Sequence, residues 1–90
     1  MRIRWDENKR QLVLSNRHVD FADLENLLLL PYLEDQRSDE PEQYRLIEVA
    51  GGQMATFIVE YRVDQLGPFI WVVNAWKSTR REEESYEQSI

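Results

Sequence analysis

The chain of 90 residues has no cysteine, only three glycines and three prolines, and a single histidine, His18. Without cysteine there is neither a disulfide framework nor a thiolate metal site, which suits a reducing compartment and predicts a cytoplasmic protein. Any imidazole chemistry must therefore use His18. Long apolar runs are also missing, and no signal-peptide pattern is present. We expect no membrane association.

The formal net charge is −6, and the apolar share of 42% is typical of a packed globular domain. This charge argues against nucleic-acid binding over the whole surface, because phosphate neutralisation requires clustered lysines and arginines. The acids are concentrated, with five in residues 34–42 and four in residues 82–87. A local basic site elsewhere on the surface is still compatible with this composition.

The first half of the chain contains one open choice. Residues 2–5 alternate polar and apolar side chains, which predicts a short strand. After it, Asp6 can cap a helix, or residues 6–9 can form a hairpin turn, because Leu12 and Leu14 keep a period of two. A second helix of about three turns is predicted from Asp20 to Pro31. Residues 32–43 are acidic and lack periodicity, which predicts an exposed loop.

The second half is dominated by strand patterns at residues 44–49, 54–63 and 69–75. The first two flank Ala50-Gly51-Gly52-Gln53, whose glycines suit a tight hairpin turn. The third is apolar on both faces, which favours a central strand. Residues 79–88 have a helical composition, and Thr79 and Glu82 have the spacing of a capping box.

Together these segments predict a single α+β domain over residues 1–90. Its order is a short N-terminal strand and two helices, then a three-stranded antiparallel meander, then a C-terminal helix.

Candidate chemistry is concentrated near the C-terminal helix. Lys77, Arg80 and Arg81 lie at its predicted N-terminus, where the helix dipole also favours an anion, and they predict a phosphate site. The alternative is that the following glutamates neutralise these cations in solvent. His18 is either a general acid and base or a capping or surface residue between two helices. Trp76 either stacks on a base or covers the core. No spacing of ligands indicates a metal site, and no cofactor is predicted.

Several short patterns occur in a characteristic order along nearly the whole chain. They are Trp5-Asp6 with Lys9, Val19-x-Phe21, Arg45, Val59-x-Tyr61, and Ala75-x-Lys77-x-Thr79-x-x-Glu82-x-x-x-Tyr86. In this combination the sequence resembles BrnT-type toxins of bacterial type II toxin–antitoxin systems. The last pattern is the most specific part of the resemblance.

The resemblance implies a compact fold similar to RelE ribonucleases and favours the helix after Asp6. It implies RNA cleavage without a metal, and a cognate DNA-binding antitoxin as protein partner. Carried over by position, Lys77 and Arg45 match the basic residues of the family, and Arg80 is a neighbouring phosphate contact. His18 would act as a proton shuttle. RNA cleavage of this kind needs a base, an acid and cations over the phosphate.

The chain also departs from the family pattern. Trp76 and Glu83 stand where the family commonly has arginine, and Asn16-Arg17-His18 stands where it usually has Lys-His-Gly. These differences motivate an alternative function, in which a catalytically degenerate relative acts as a non-enzymatic protein-interaction module.

Overall fold

A computed structural model describes residues 2–50 and 52–89 and shows a mixed α+β fold, as predicted. The strands are β1 (Arg2–Trp5), β2 (Leu33–Asp39), β3 (Glu42–Ala50), β4 (Gln53–Asp64) and β5 (Gly67–Lys77). The helices are α1 (Glu7–Arg17), α2 (Leu24–Leu27) and α3 (Arg80–Ser89), with one 3-10 turn (Phe21–Asp23) before α2. None of these helices is long and apolar enough to cross a membrane.

All five strands form one sheet in the order β1-β5-β4-β3-β2. Strand β1 runs parallel to β5, and the other neighbours are antiparallel. Strand β5 therefore lies between two strands, which confirms the central position predicted for residues 69–75. Pairing with β1 covers only the stretch of β5 from Phe69 to Val72. The C-terminal part of β5 extends beyond β1 and leaves one side of its backbone open to other groups.

Helix α1 resolves the choice that the sequence left open after Asp6. The Asp6 carboxylate accepts a hydrogen bond from the backbone N–H of Lys9 at 3.2 Å, the geometry of an N-cap. The helix ends at His18, whose backbone is left-handed with φ 59°. The helical interpretation is therefore confirmed, and the hairpin interpretation is wrong.

The helix predicted from Asp20 to Pro31 is much shorter than expected. The Asp20 carboxylate accepts from the N–H of Ala22 at 2.9 Å and begins a 3-10 turn instead of an α-helix. Helix α2 then spans only Leu24–Leu27, and the chain tightens again where the N–H of Leu30 donates to the carbonyl of Leu27 at 3.0 Å. Hydrogen bonds between backbone groups three residues apart commonly close short helical segments.

The loop predicted for residues 32–43 is wrong, because most of it is strand β2. The predicted meander of three strands therefore becomes part of a longer antiparallel run from β2 to β5. Strand β2 is an edge strand, so its backbone needs only one partner, β3, and its side chains after Leu33 are all polar. Asp35 on β2 pairs with Arg45 on β3, and Glu34 accepts from the Tyr61 hydroxyl at 2.8 Å.

The hairpin predicted around Ala50-Gly51-Gly52-Gln53 is present, with Ala50 and Gln53 paired at the ends of β3 and β4. Gly52 has φ +84°, a conformation that glycine adopts without strain. Gly51 lies outside the described residues.

The core lies on one face of the sheet, where α1 and α2 pack, and the opposite face is called the outer face. The core-face cluster includes Val13, Phe21, Leu24, Leu46, Phe57 and Val72. On the outer face α3 packs against β2 and β3.

Glu48 is an unusual neighbour of this core. It is 0% exposed, and neither of its carboxylate oxygens has a hydrogen-bond partner within residues 2–50 and 52–89. Its register partner on β4 is Ala55, a core-face residue. Burial raises the pKa of Glu48 from its ordinary value of 4.5 to about 7.

Candidate functional site

An open cavity of about 360 Å³ lies where the end of α1 meets the extended end of β5. Its lining residues are Asn16, Arg17, His18, Trp76 and Lys77. The cavity forms here because β1 ends at Trp5, opposite Val72, and leaves the remainder of β5 beside the C-terminus of α1. Its volume lies at the lower end of the range for ligand pockets. Two of the four predicted site residues, His18 and Lys77, are thus brought together.

His18 enters the cavity through its position at the end of α1. Its backbone N–H donates to the carbonyl of Leu14 at 3.1 Å, so the residue caps the helix. The left-handed backbone conformation turns the chain sharply at this point. The side chain is exposed and lines the cavity. His18 therefore combines the capping role considered from the sequence with a position in the cavity.

Arg17 joins the end of α1 to the extended part of β5. Its guanidinium donates to Asn74 Oδ1 at 2.8 Å and to the carbonyl of Ala75 at 3.1 Å. The second bond satisfies a backbone acceptor on the side of β5 that β1 does not cover. The sequence offered no signal for this contact except that Arg17 is adjacent to His18.

Glu82 is the centre of a hydrogen-bond network behind the cavity. Its Oε1 accepts from the N–H of Thr79 at 2.9 Å, and its own N–H donates to the Thr79 hydroxyl at 3.2 Å. This reciprocal pair is the predicted capping box of α3. Oε1 also accepts from the indole N–H of Trp76 at 3.0 Å, and Oε2 lies 3.4 Å from Arg45 Nη1.

The side chain of Glu82 is only 7% exposed, so this network operates in a partly dehydrated environment. Burial by itself raises the pKa of the carboxyl group. The hydrogen bonds from Thr79 and Trp76 outweigh that effect, and the pKa of Glu82 lies below its ordinary value. Glu82 is therefore held as a carboxylate next to the residues that line the cavity.

Arg45 is not among the residues that line the cavity. Its guanidinium forms a two-point pair with the Asp35 carboxylate and also contacts Glu82. The hydrogen bond to Asp35, opposed by partial burial, raises the pKa of Arg45 above its ordinary value. The carboxylates of Asp35 and Glu82 therefore already balance the charge of Arg45. Glu82 also links Arg45 to Trp76, because it accepts from the indole N–H.

Arg80 is also separate from the cavity lining. It is the first residue of α3, its side chain is 93% exposed, and it lies 3.7 Å from Glu84 one turn further on. At such exposure the pair contributes little to stability. Arg80 is available to solvent on the helix that follows Lys77.

Trp76 connects the cavity with the network on the outer face. It is half-buried, lines the cavity, and binds Glu82 through its indole nitrogen. The guanidinium of Arg37 lies over its ring, 5.4 Å from the centroid. The ring of Trp76 therefore lies against the sheet and borders the open space of the cavity.

Glu82→Gln is expected to lower the free energy of unfolding by about 1.5 to 3 kcal/mol, because hydrogen bonds to a charged acceptor are lost in a poorly hydrated place. Urea unfolding monitored by tryptophan fluorescence measures the change. The control is Glu84→Gln on the same helix, where the exposed carboxylate should be replaceable within about 0.5 kcal/mol. Equal effects of the two variants would contradict the role given to Glu82.

The cavity offers an imidazole, an ammonium group and an indole around a space open to solvent. An imidazole can accept and return a proton near neutral pH, and an ammonium group can neutralise a developing negative charge. Within residues 2–50 and 52–89, no group of three or more His, Asp or Glu side chains is arranged to hold a metal ion.

No model of a protein family matches the chain, and no curated protein sequence matches it. A solved structure does. The chain is similar to the crystal structure of the Brucella abortus ribonuclease toxin BrnT, with a TM-score of 0.63 and 24% sequence identity. The match covers 89% of this chain and 99% of the Brucella chain. The protein therefore has a BrnT-like fold.

Proposed function

We propose that the protein is the toxin of a type II toxin–antitoxin pair and cleaves RNA at the cavity between α1 and β5. The observation that carries the proposal is that His18 and Lys77, 59 positions apart in sequence, line one cavity. The BrnT-like fold supports the same assignment, because the similar solved structure is that of a ribonuclease toxin.

In the proposed reaction the neutral imidazole of His18 accepts the proton of a ribose 2′-hydroxyl. The 2′-oxygen attacks the adjacent phosphorus, and the bond from phosphorus to the 5′-oxygen breaks. The leaving 5′-oxygen takes a proton from the imidazolium, which restores His18. Lys77 lies over the phosphate and stabilises the charge that develops on its oxygens. The products are a 2′,3′-cyclic phosphate and a 5′-hydroxyl.

The remaining residues position this pair. Arg17 fixes the end of α1 against β5 and so sets where His18 stands. Glu82 holds the indole of Trp76, and Arg45 in turn holds Glu82. We therefore assign Arg45 a positioning role instead of a direct phosphate contact. Arg80, exposed on the neighbouring helix, extends the basic surface towards incoming phosphate groups.

The proposed protein partner is an antitoxin with a basic docking segment. Strand β2, the turn after it and the first residue of β3 carry four exposed acids, Glu34, Asp39, Glu40 and Glu42. Charge complementarity of this kind increases association rates and excludes wrong partners. Expression of the chain without its partner should arrest growth, and co-expression of the partner should relieve the arrest.

The direct test is incubation of the purified protein with single-stranded RNA in the presence of a metal chelator. We expect cleavage products that end in a 2′,3′-cyclic phosphate. RNA that stays intact over hours at micromolar protein would contradict catalysis by this cavity.

A second function is favoured by one specific observation, the pairing of Arg45 with both Asp35 and Glu82. A protein in which Arg45 serves a structural role fits a non-enzymatic interaction module that retains only the partner surface. Such a protein would bind an antitoxin but leave RNA intact and growth unaffected. The chelator assay distinguishes the two functions.

A further inference from the structure

Arginine and aromatic side chains alternate on the part of the outer face that lies across β1, β5 and β4. In one cross-strand row Arg2 pairs with Phe69, and Phe69 with Arg62. In the next row Arg4 pairs with Trp71, and Trp71 with Glu60. The arginine–aromatic platform is defined as Arg2, Arg4, Arg62, Phe69 and Trp71.

The guanidinium groups of the platform lie on the aromatic rings. Arg2 and Arg4 are 5.3 and 5.2 Å from the centroid of Phe69, and Arg62 is 4.7 Å from the centroid of Trp71. All three distances are within the range of cation–π contacts. Phe69 is buried beneath its arginines, whereas the side chains of Arg2, Arg4 and Arg62 are 35%, 55% and 44% exposed. The outermost layer of the platform therefore consists of guanidinium planes.

The platform is locally cationic on an acidic protein. Asp64 pairs with Arg2 at 2.5 Å and with Arg4 at 3.3 Å, and Glu60 pairs with Arg62 at 2.5 Å. Three cations thus face two carboxylates, whereas the chain as a whole carries a net charge of −6. Arg4 is the most exposed of the three and makes only the longer contact. Positive charge is available here in spite of the overall composition.

This combination of groups fits the chemistry of unpaired nucleotides. Bases stack on aromatic rings and on arginine planes, and the same cations attract the phosphates between them. An acidic peptide would find carboxylates already bound to each arginine and would have no planar group to stack. We propose that the platform binds single-stranded RNA, with bases stacked on the guanidinium planes of Arg62 and Arg4 and on the exposed part of Trp71.

The platform and the cavity share strand β5. This inference therefore rests on the proposed function. Trp71 and Trp76 are five residues apart on that strand, or about 17 Å at the rise of an extended chain. Five stacked nucleotides at about 3.4 Å each span the same distance. The platform would therefore hold the RNA several nucleotides away from the phosphate placed over Lys77.

The test measures binding without cleavage. A fluorescently labelled single-stranded RNA of twelve nucleotides, with every 2′-hydroxyl methylated, cannot undergo the proposed reaction, and its anisotropy reports binding to the full chain. Arg62→Gln is expected to weaken binding at least about fivefold, because a stacking contact and a phosphate attraction are lost. Glu60 stays satisfied in this variant, since Gln43 donates to it at 2.8 Å. Trp71→Ala should act in the same direction.

Lys9→Gln is the matched control, because it removes one positive charge from α1 on the opposite side of the sheet. The thermal midpoint of each variant checks that it is folded. Two further probes separate stacking from simple charge attraction, namely an abasic oligomer of equal length and a polyglutamate peptide. Both should bind at least about fivefold more weakly than the RNA.

Equal binding by Arg62→Gln and Lys9→Gln, or equal binding of RNA and the abasic oligomer, would overturn the platform. Preferential binding of polyglutamate would overturn it in favour of an acidic protein ligand. These outcomes are independent of catalysis. A protein that leaves unmodified RNA intact can still bind the methylated RNA, and a protein that cleaves RNA with unchanged binding by Arg62→Gln retains the proposed function without the platform.

Discussion

His18→Asn is expected to reduce the rate of RNA cleavage by about 10²- to 10⁴-fold, the usual contribution of a general acid and base. Asparagine is chosen because it tolerates the left-handed backbone that His18 adopts with φ 59°. The cap at the end of α1 is therefore retained, and only the imidazole is lost. Single-turnover cleavage of a labelled RNA in chelator measures the rate.

The thermal midpoint provides the control for this prediction and should change little in His18→Asn. Lys77→Ala, the second cavity variant, is expected to lower the rate by about 10²- to 10³-fold through the loss of a contact that strengthens in the transition state. Lys9→Ala on α1 should leave the rate unchanged. If RNA is cleaved and neither cavity variant slows the reaction, the active site lies elsewhere.

The capped helices show what the sequence predicts well. Thr79 and Glu82 are three residues apart, and their reciprocal hydrogen bonds occur as expected. Asp6, which the sequence offered as a helix cap or as part of a hairpin turn, accepts from the N–H of Lys9 and caps α1. Such local interactions require no knowledge of the fold. The apolar pattern of residues 69–75 likewise indicated an internal strand, because a strand that is buried on both faces is apolar at nearly every position.

Strand β2 shows why other parts were missed. An edge strand needs no apolar residues on its exposed side and is commonly protected by charge, so its sequence is like that of a loop. Its existence depends on the backbone of β3 and on pairs such as Asp35 with Arg45, ten residues away. After Asp20 the predicted helix was too long. An apolar helical face is present there, but only one turn forms an α-helix.

The candidate site was predicted in part for the same reasons. His18 stood out as the single histidine and Lys77 as a cation before a helix, and both line the cavity. Their meeting depends on where β1 stops beside β5, which no local pattern reveals. The contact between Arg45 and Glu82 joins residues 37 positions apart, so the sequence alone could not show that Arg45 is already paired.

The stability of the wild-type protein is expected to fall as the pH rises from about 4.5 to 7, because of Glu48. The buried carboxyl group has a pKa of about 7 in the folded chain and about 4.5 when exposed. Between these values the folded state binds more protons than the unfolded state, so each increase in pH favours unfolding. The full penalty, reached above pH 7, is roughly 3 kcal/mol.

Glu48→Gln replaces the carboxyl group by a neutral group of the same shape and tests this expectation. The variant should match the wild type near pH 4.5 and exceed its free energy of unfolding by roughly 3 kcal/mol at pH 8, which urea titrations at each pH would measure. Glu25→Gln on α2 removes an exposed carboxylate and should leave the pH profile unchanged. A wild-type profile that is flat over this range, or a Glu48→Gln profile parallel to it, would show that Glu48 is stabilised as a carboxylate by a partner in the folded chain. If the wild-type stability instead falls with pH while that of Glu48→Gln does not, the core of this small domain carries a carboxyl group that must be neutral for full stability.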